Sequence, residues 1–324
     1  MYIYYISSSL ITIMLTAVML LIFIPKLKSM HMGQHILTIG PRWHASKEGT
    51  PTMGGVMFIL PIIFVLVILS LLLPDKIDLS RMWIMMLSSV LFGAIGIADD
   101  VAKLKKQKNE GLTAPQKFLL QLVVASIFVY VMAKKGFIST VIEIPFFNTS
   151  LDLGFFYYIV SVILICGIVN SVNLTDGIDG LASSVTAAVL VFFAICGKID
   201  GNVTVSLVSC VVFGGCIGFL IFNAHPAKVF MGDTGSLFLG GIVVGLAFIY
   251  GSPLIIIPCG IVYIIETLSV ILQVTYYKIS HGKRLFKMAP IHHHLEKSGF
   301  TENMIVITAL IVTTIFSSLT LIFM

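Results

Sequence analysis

Long apolar segments recur along the whole chain and are separated by short polar stretches. A helix that crosses a bilayer requires about 20 mainly apolar residues, and no stretch between the segments is long enough for a soluble domain. The pattern predicts an all-α, polytopic membrane protein with a single domain over residues 1–324 and about ten transmembrane helices. The predicted helices lie at roughly 5–25, 53–73, 82–98, 116–133, 155–172, 181–196, 203–222, 235–250, 252–273 and 303–323.

Composition supports the membrane interpretation. Apolar residues make up 58% of the chain and charged residues only 11%, with a mean hydropathy of +1.05, whereas soluble domains carry about 25% charged residues. The first segment lacks the basic start and small-residue cleavage site of a secretory signal, and IPKLK follows it. We therefore expect a retained helix at the N-terminus.

Small residues inside the apolar segments are interpreted as packing residues. The GxxxG spacings Gly214/Gly218 and Gly241/Gly245 predict close contacts between helices. The cysteines are odd in number and show no metal-ligand spacing, so we expect neither disulfides nor a metal site. They are Cys166, Cys196, Cys210, Cys216 and Cys259.

Basic residues are distributed unevenly between the two sets of alternating loops. One set holds 15 of the 20 Lys and Arg residues, which by the positive-inside rule makes it cytoplasmic and places both termini outside. The net charge of +5 is then interpreted as a record of orientation, and no nucleic-acid partner is expected. The basic loops are 26–52, 99–117, 173–180, 223–234 and 274–302.

Five aspartates lie at the predicted cytoplasmic ends of three segments. Any one of them could be a solvated helix end or the partner of a loop lysine. Carboxylates at membrane depth are costly and are usually kept for a role, so five on one face predict a functional cluster. Asp99 and Asp100 end the third segment, Asp176 and Asp179 follow the fifth, and Asp233 follows the seventh.

The residues around these aspartates favour phosphate chemistry. The stretch FMGDTGS (230–236) opens an apolar helix with small and hydroxyl residues, which is typical of an anion site at free backbone N–H groups. Carboxylates beside an anion need a bridging cation, and oxygen ligands favour Mg²⁺. With Lys47, Lys103 and Lys117 on the same predicted side, the set indicates phosphoryl transfer. The DDVAK spacing (99–103) alone also fits an ordinary ion pair along a helix.

Two further polar features fall near or within the last predicted spans. The three histidines of PIHHHLEKSGF (290–300) leave three alternatives: a zinc site completed elsewhere, a solvated loop, or imidazoles that bind phosphate or sugar oxygens, which we favour. Glu266 is a carboxylate in the middle of a predicted span. We expect it to have a hydrogen-bonded partner in the bundle, with a proton relay as the alternative.

Four motifs occur in order between the apolar segments: ADDVAK, NSVNLTDGIDGLA, NAHPAKVFMGDTGSLFLGG and PIHHHLEKSGF. Together they resemble the polyprenyl-phosphate N-acetylhexosamine-1-phosphate transferases, and among these the phospho-N-acetylmuramoyl-pentapeptide transferases of the translocase I type. The resemblance covers almost the whole chain, and PIHHHLE is its most discriminating part.

The resemblance implies a reaction in peptidoglycan synthesis at the cytoplasmic face of the bacterial cytoplasmic membrane. UDP-N-acetylmuramoyl-pentapeptide and undecaprenyl phosphate would give lipid I and UMP, with Mg²⁺ as cofactor and a homodimer as the enzyme. By motif, Asp233 would be the metal ligand, and Asp99 and Asp100 the carboxylates nearest the lipid phosphate. Lys103 and Lys117 would contact phosphate. The positions that would line the nucleotide-sugar site are Lys47, Thr52, Asn173, Asp176, Asp179, Asn223, Phe230, Gln273, His292 and His293.

Two alternative functions remain open at this stage. Transfer of N-acetylglucosamine-1-phosphate to the same lipid would use a related donor, although PIHHHLE argues against it. A secondary transporter would share the ten helices, but its site would lie near the bilayer midplane, whereas here the polar residues cluster at one face. For the transferase, we favour direct attack by the lipid phosphate over a covalent aspartyl intermediate, because a phosphate monoester with a second pKa near ~6 is already largely dianionic at neutral pH.

Overall fold

In the computed structural model, the residues that can be described are 1–29, 47, 49–106, 111–144 and 149–324. Parts of the predicted basic loops 26–52 and 99–117 lie outside them. The described part is mainly helical. Its α-helices are α1 Tyr2–Ser29, α2 Val56–Leu72, α3 Leu79–Lys106, α4 Ala114–Lys134, α5 Phe156–Thr175, α6 Leu181–Ile199, α7 Val203–Asn223, α8 Gly232–Tyr250, α9 Ile256–Cys259, α10 Ile261–Ile279, α11 Ile291–Glu296 and α12 Glu302–Ile322.

The all-α, polytopic architecture is confirmed, and each of the ten predicted segments contains helix. Among the described residues, eight helices are long and apolar enough to cross a membrane: α1, α3 to α8 and α12. A ninth span arises if Pro253–Cys259 and α10, which meet at a bend of 82°, are counted together. The second predicted segment forms α2, an apolar helix of only 17 residues. The side on which each terminus lies stays a prediction.

A short hairpin connects α4 to α5. Strand β1 (Val141–Ile144) pairs antiparallel with β2 (Thr149–Asp152), with Val141 opposite Asp152 and Ile144 opposite Thr149. The hairpin lies at the end of the bundle opposite the aspartates, so it takes no part in the candidate site.

Several helix boundaries differ from those predicted, and two of the differences place aspartates of the candidate site inside helices. The predicted third segment stops before Asp99, whereas α3 continues through Asp99 and Asp100 to Lys106. Charge does not end a helix when it is compensated, and here Asp99 pairs with Lys103 one turn later. Likewise α8 begins at Gly232 rather than 235, so Asp233 lies in its first turn.

Small residues allow α8 to lie close against its neighbours in the centre of the bundle. A Cβ atom on Gly96 of α3 would lie 2.3 Å from the carbonyl oxygen of Asp233, and one on Gly241 of α8 would lie 2.9 Å from Cα of Ser89. Helices in a membrane associate through such packing rather than through burial of apolar area from water. The contact of α3 with α8 is what brings Asp99 and Asp100 beside Asp233.

The packing roles expected for small residues are confirmed. Cβ atoms on Gly214 and Gly218 of α7 would lie 2.4 and 2.8 Å from the carbonyl oxygens of Ser9 and Ile13 in α1, and one on Gly245 of α8 would lie 2.4 Å from the Met85 side chain of α3. All five cysteines are free, and four of them are buried. These residues therefore set the distances between helices.

Candidate functional site

Three carboxylates from two helices converge where α3 meets the start of α8. One oxygen each of Asp99, Asp100 and Asp233 lies within 4.8 Å of the others. Asp99 and Asp100 are each only 3% exposed, and the side chain of Asp233 is 17% exposed. Three carboxylates at this separation repel one another unless cations compensate them.

Two lysines provide that compensation in the structure. Lys103 Nζ lies 2.7 Å from Asp99 Oδ2 and 2.8 Å from Asp233 Oδ2. Lys117, in the first turn of α4, places its Nζ 2.7 Å from the same Asp233 oxygen. The DDVAK spacing therefore does form a pair along the helix, but the pair belongs to a network across three helices. We call Asp99, Asp100, Asp233, Lys103 and Lys117 the carboxylate–lysine cluster.

Asp100 differs from the other two aspartates because it caps α8. Its Oδ1 accepts from the Asp233 N–H at 3.2 Å, and its Oδ2 accepts from the Thr234 N–H at 3.0 Å and from the Thr234 hydroxyl at 2.7 Å. The free N–H groups at this helix start, which suggested an anion site, thus bind a carboxylate of the chain itself. Asp100 satisfies donors that the helix cannot satisfy internally.

The segment at the start of α2 packs against the segment that leads into α8. The N–H of Gly54 donates to the Phe230 carbonyl at 2.9 Å, and the Phe230 N–H donates to the Pro51 carbonyl at 2.9 Å. Thr52 lies beside the cap of α8, since a Cβ atom on Gly232 would be 3.0 Å from its Oγ1. The pairing holds Thr52 and Phe230 at the rim of the carboxylate–lysine cluster.

Asn173 connects the last turn of α5 to the same cluster. Its amide Nδ2 donates to Asp233 Oδ1 at 2.9 Å and to Ser236 Oγ at 2.8 Å. Because an amide N–H can only donate, Asp233 Oδ1 is held as an acceptor on the α5 side, and its Oδ2 faces the two lysines. The amide therefore fixes the rotation of the Asp233 carboxylate.

Asp176 is the residue at which α5 ends. The residue is half-buried. This burial, together with the nearby charges of Asp233, Asp100 and Asp179, raises its pKa to about 8. Burial disfavours the charged form of an acid, and like charges disfavour it further, so Asp176 holds a proton at neutral pH in this state.

Asp179 anchors a second group of charged side chains at the start of α6. Its Oδ1 accepts from Lys47 Nζ at 2.7 Å, and its Oδ2 lies 3.0 Å from Nδ1 of His225. The first residue of α12, Glu302, accepts from Lys47 Nζ at 2.7 Å and from the Asp179 N–H at 2.9 Å. We call Lys47, Asp179, His225 and Glu302 the Lys47 cluster.

The histidine motif forms α11, and its members have different partners. His292 is buried, with Nδ1 2.9 Å from Oε2 of Glu266 in α10, which confirms a hydrogen-bonded partner for Glu266. His293 Nδ1 lies 2.6 Å from Oε2 of Glu296, and His294 Nδ1 accepts from the Lys287 N–H at 3.1 Å.

Two residues expected at the nucleotide-sugar site brace loops in this structure. The carbonyl oxygen of the Asn223 amide accepts from the Gly180 N–H at 3.1 Å, and its Nδ2 donates to the Val229 carbonyl at 2.9 Å. Gln273 Oε1 accepts from the N–H groups of Leu285 and Phe286 at 3.1 and 2.8 Å. Their side chains thereby hold the backbone of these loops in place.

Sequence reasoning missed His225 and Glu302. His225 lies within one of the motifs, NAHPAKVFMGDTGSLFLGG, and Glu302 is the only acidic residue in the first turn of the last span, so each carried a weak signal. Neither signal indicates which residue the side chain contacts. Glu302, for example, contacts Lys47, which lies 255 positions away in the sequence.

The chain matches known proteins over nearly its full length. The pattern described as Glycosyl transferase family 4 matches residues 82–251. A pattern described as phospho-N-acetylmuramoyl-pentapeptide-transferase signature 1 matches residues 47–59, which include Lys47 and Thr52.

Curated relatives named phospho-N-acetylmuramoyl-pentapeptide-transferase are similar throughout. The protein from Clostridium botulinum (strain Eklund 17B / Type B) is 47% identical over 93% of this chain and 88% of its own length. The protein from Clostridium perfringens (strain SM101 / Type A) is 45% identical over 91% and 89%. The protein from Listeria monocytogenes serotype 4b (strain CLIP80459) is 39% identical over 94% and 93%.

Proposed function

The chain belongs to the phospho-N-acetylmuramoyl-pentapeptide-transferase family, and we propose that it transfers phospho-N-acetylmuramoyl-pentapeptide from UDP-N-acetylmuramoyl-pentapeptide to undecaprenyl phosphate. The products are lipid I and UMP, in peptidoglycan synthesis. The observation that carries the proposal is the carboxylate–lysine cluster, in which three aspartates and two lysines converge at one end of a membrane bundle.

The donor set of the cluster suits Mg²⁺. Hard carboxylate oxygens within 4.8 Å of one another are ligands that this ion accepts, and the two ammonium groups at 2.7–2.8 Å show that the position attracts cations. We assign Asp233 as the ligand, with Asp99 beside it, because one oxygen of each faces a lysine ammonium group that a metal ion could replace. Both oxygens of Asp100, by contrast, accept from backbone N–H groups at the start of α8. Bound there, Mg²⁺ would neutralise charge on the donor diphosphate and on the departing UMP.

Lys103 and Lys117 bind the diphosphate in this proposal. Both share Asp233 Oδ2 in the structure, and if Mg²⁺ were held at that oxygen their ammonium groups would be available to bind phosphate oxygens. Thr52, Asn173 and Phe230 adjoin the same position and line the donor site with Lys47 and Asp179. Catalysis of phosphoryl transfer consists mainly of such positioning and charge compensation.

We propose direct attack by the acceptor. An oxygen of undecaprenyl phosphate forms a bond to the donor phosphorus that carries the sugar, and the bond from that phosphorus to the bridging oxygen breaks as UMP leaves. Asp99 orients the acceptor phosphate or takes its remaining proton. Since the acceptor is largely dianionic at neutral pH, no covalent aspartyl intermediate is needed.

We further propose that the site faces the cytoplasm and that the enzyme is a homodimer in the bacterial cytoplasmic membrane. The first proposal is supported by the excess of Lys and Arg in the loops on the side of the aspartates. The second rests on the family resemblance alone. The polar cluster lies at the helix ends, where a water-soluble nucleotide can reach it, whereas a secondary transporter would be expected to bind near the midplane.

UMP release by the purified protein tests the function. We expect release with UDP-N-acetylmuramoyl-pentapeptide only when undecaprenyl phosphate and Mg²⁺ are present. Release with UDP-N-acetylglucosamine instead would identify the related transferase, and uptake of a solute into proteoliposomes without UMP release would identify a transporter.

The same assay separates the two mechanisms. A covalent intermediate would allow labelled UMP to exchange into the donor without an acceptor, whereas direct attack does not. We expect no exchange once endogenous undecaprenyl phosphate has been removed and its removal verified. Exchange after that step, with a phospho-sugar adduct on Asp99, Asp100 or Asp233 by mass spectrometry, would refute direct attack.

A further inference from the structure

Glu266 and His292 form a buried pair between α10 and α11. Glu266 is 2% exposed and His292 is 1% exposed, and Oε2 of the glutamate lies 2.9 Å from Nδ1 of the histidine. An ionisable side chain within a membrane span is costly and usually faces a partner that serves function. His292 is the hydrogen-bonding partner that compensates for the burial of the Glu266 carboxylate.

The other nitrogen of His292 is aimed at the loop between α5 and α6. Its Nε2 is buried, and it has no hydrogen-bond partner among the described residues. A Cβ atom on Gly177 would lie 2.1 Å from it, so the ring fits only because the residue between Asp176 and Ile178 has no side chain. Most buried polar atoms in proteins are paired, which makes an unpaired nitrogen beside the proposed donor site significant.

The hydrogen bond with Glu266 determines which ring nitrogen of His292 is left to bind a ligand. A carboxylate oxygen accepts hydrogen bonds, so this contact favours the tautomer with the proton on Nδ1, and Nε2 faces the loop. A carboxylate behind a histidine commonly fixes its ring orientation and tautomer for the function of the distal nitrogen. In His294, by contrast, Nδ1 accepts a hydrogen bond from the backbone N–H of Lys287, so that nitrogen holds the backbone of a loop.

We propose that Glu266 is a positioning residue that holds His292 in this tautomer and aims Nε2 at an oxygen of the bound nucleotide-sugar. The inference rests on the proposed function, because it requires a donor at the loop that carries Asp176 and Asp179. Glu266 does not touch the substrate and acts only through His292.

A double-mutant cycle in the UMP-release assay tests the proposal. The variants are Glu266→Leu, Glu266→Gln, His292→Ala, and Glu266→Leu combined with His292→Ala. We expect Glu266→Leu to lower kcat about tenfold to hundredfold, the usual cost of losing an outer partner of a functional histidine. We expect the KM for undecaprenyl phosphate to stay unchanged. The double variant should equal His292→Ala, and Glu266→Gln, whose amide oxygen still accepts from Nδ1, should retain most of kcat.

Ser269→Ala is the matched control. Ser269 is also buried on α10, and its hydroxyl donates to the backbone carbonyl of Glu266, not to the side chain that binds His292. We expect it to keep wild-type kcat. If Glu266→Leu does not purify as a folded protein, Gly177→Ala gives the second approach, because it keeps the buried pair but displaces the ring from the loop. It should then lower kcat in protein that still purifies folded, with some loss of Tm because the new Cβ displaces a buried ring.

The failures are distinguishable. A wild-type protein that releases no UMP refutes the proposed function. A wild-type rate for Glu266→Leu or Gly177→Ala while His292→Ala is defective refutes the positioning role alone. Losses of Glu266→Leu and His292→Ala that multiply in the double variant also refute it, because Glu266 would then act independently of His292.

Discussion

Asp100 on α3 caps α8 by accepting two hydrogen bonds from Thr234, one from its hydroxyl at 2.7 Å and one from its N–H at 3.0 Å. Asp233, the neighbour of Thr234, is thereby held at a fixed distance from α3. The two adjacent aspartates of α3 consequently have different tasks. Asp99 faces the lysines, whereas Asp100 sets the position of the proposed metal ligand.

The first prediction concerns this cap. Thr234→Val removes the hydroxyl but keeps the N–H, and we expect a loss of about 1.5–3 kcal/mol in the free energy of unfolding, as for hydrogen bonds to charged groups. Denaturation in detergent micelles measures it. Thr234→Ser, which retains the hydroxyl, should behave as wild type, and equal stability of all three proteins would show that the hydroxyl contributes nothing.

Asp233→Asn should abolish turnover because it removes the negative charge of the proposed Mg²⁺ ligand and the shared partner of Lys103 and Lys117. UMP release titrated with MgCl₂ measures the effect. Near-normal activity at ordinary Mg²⁺ concentration would refute the metal assignment.

Asp99→Asn should reduce the rate more at low pH than at high pH if Asp99 takes a proton from the acceptor. Below the second pKa of a phosphate monoester, near ~6, the acceptor is increasingly monoanionic and needs a base. The measurement is kcat for wild type and variant from pH 5.5 to 8.5. A reduction that is the same at every pH would assign Asp99 to orientation only.

The pKa of Asp176, raised to about 8, predicts how stability depends on pH. The unfolded side chain titrates near ~3.9, so the folded protein holds the proton over a range in which the unfolded chain has lost it. The stability that this group contributes is therefore present at low pH and falls as pH rises from about 4 to about 8.

Asp176→Asn removes this dependence. The Tm of each protein is measured in detergent without Mg²⁺. The Tm of the variant minus the Tm of wild type should increase from pH 5 to pH 8 and then level off. A Tm difference that stays constant over this range would show that Asp176 is ionised throughout.

The local sequence pattern predicted the membrane spans and the helix ends that carry the aspartates. It did not predict which side chains from different helices contact one another. Apolar segments of bilayer length indicated every span, and the aspartates at three helix ends indicated the site. The DDVAK spacing already allowed the pair of Asp99 with Lys103 along α3. The approach of Lys117 from α4 could not be predicted, because no local pattern relates the two helices. The cap of α8 by Asp100 likewise joins residues 134 positions apart.

The Lys47 cluster carries the last prediction. Lys47 Nζ lies 2.7 Å from both Asp179 Oδ1 and Glu302 Oε2, and the lysine belongs to the matched family signature. Glu302 and Asp179 thus bind the same ammonium group of Lys47, and α12 is tied to the loop before α6. If Lys47 contacts the donor, its position depends on Glu302, which does not contact the donor.

Glu302→Gln should therefore raise the KM for UDP-N-acetylmuramoyl-pentapeptide with little change in kcat. Loss of a half-buried ionic partner worth about 1 kcal/mol corresponds to an increase of roughly fivefold. Thr301→Ala is the matched control, because Thr301 caps the same helix end by accepting from the Met304 N–H without contacting Lys47. It should lower the Tm and leave the KM unchanged. An equal rise in KM for both variants would attribute the effect to fraying of α12, since only Glu302→Gln removes a partner of Lys47.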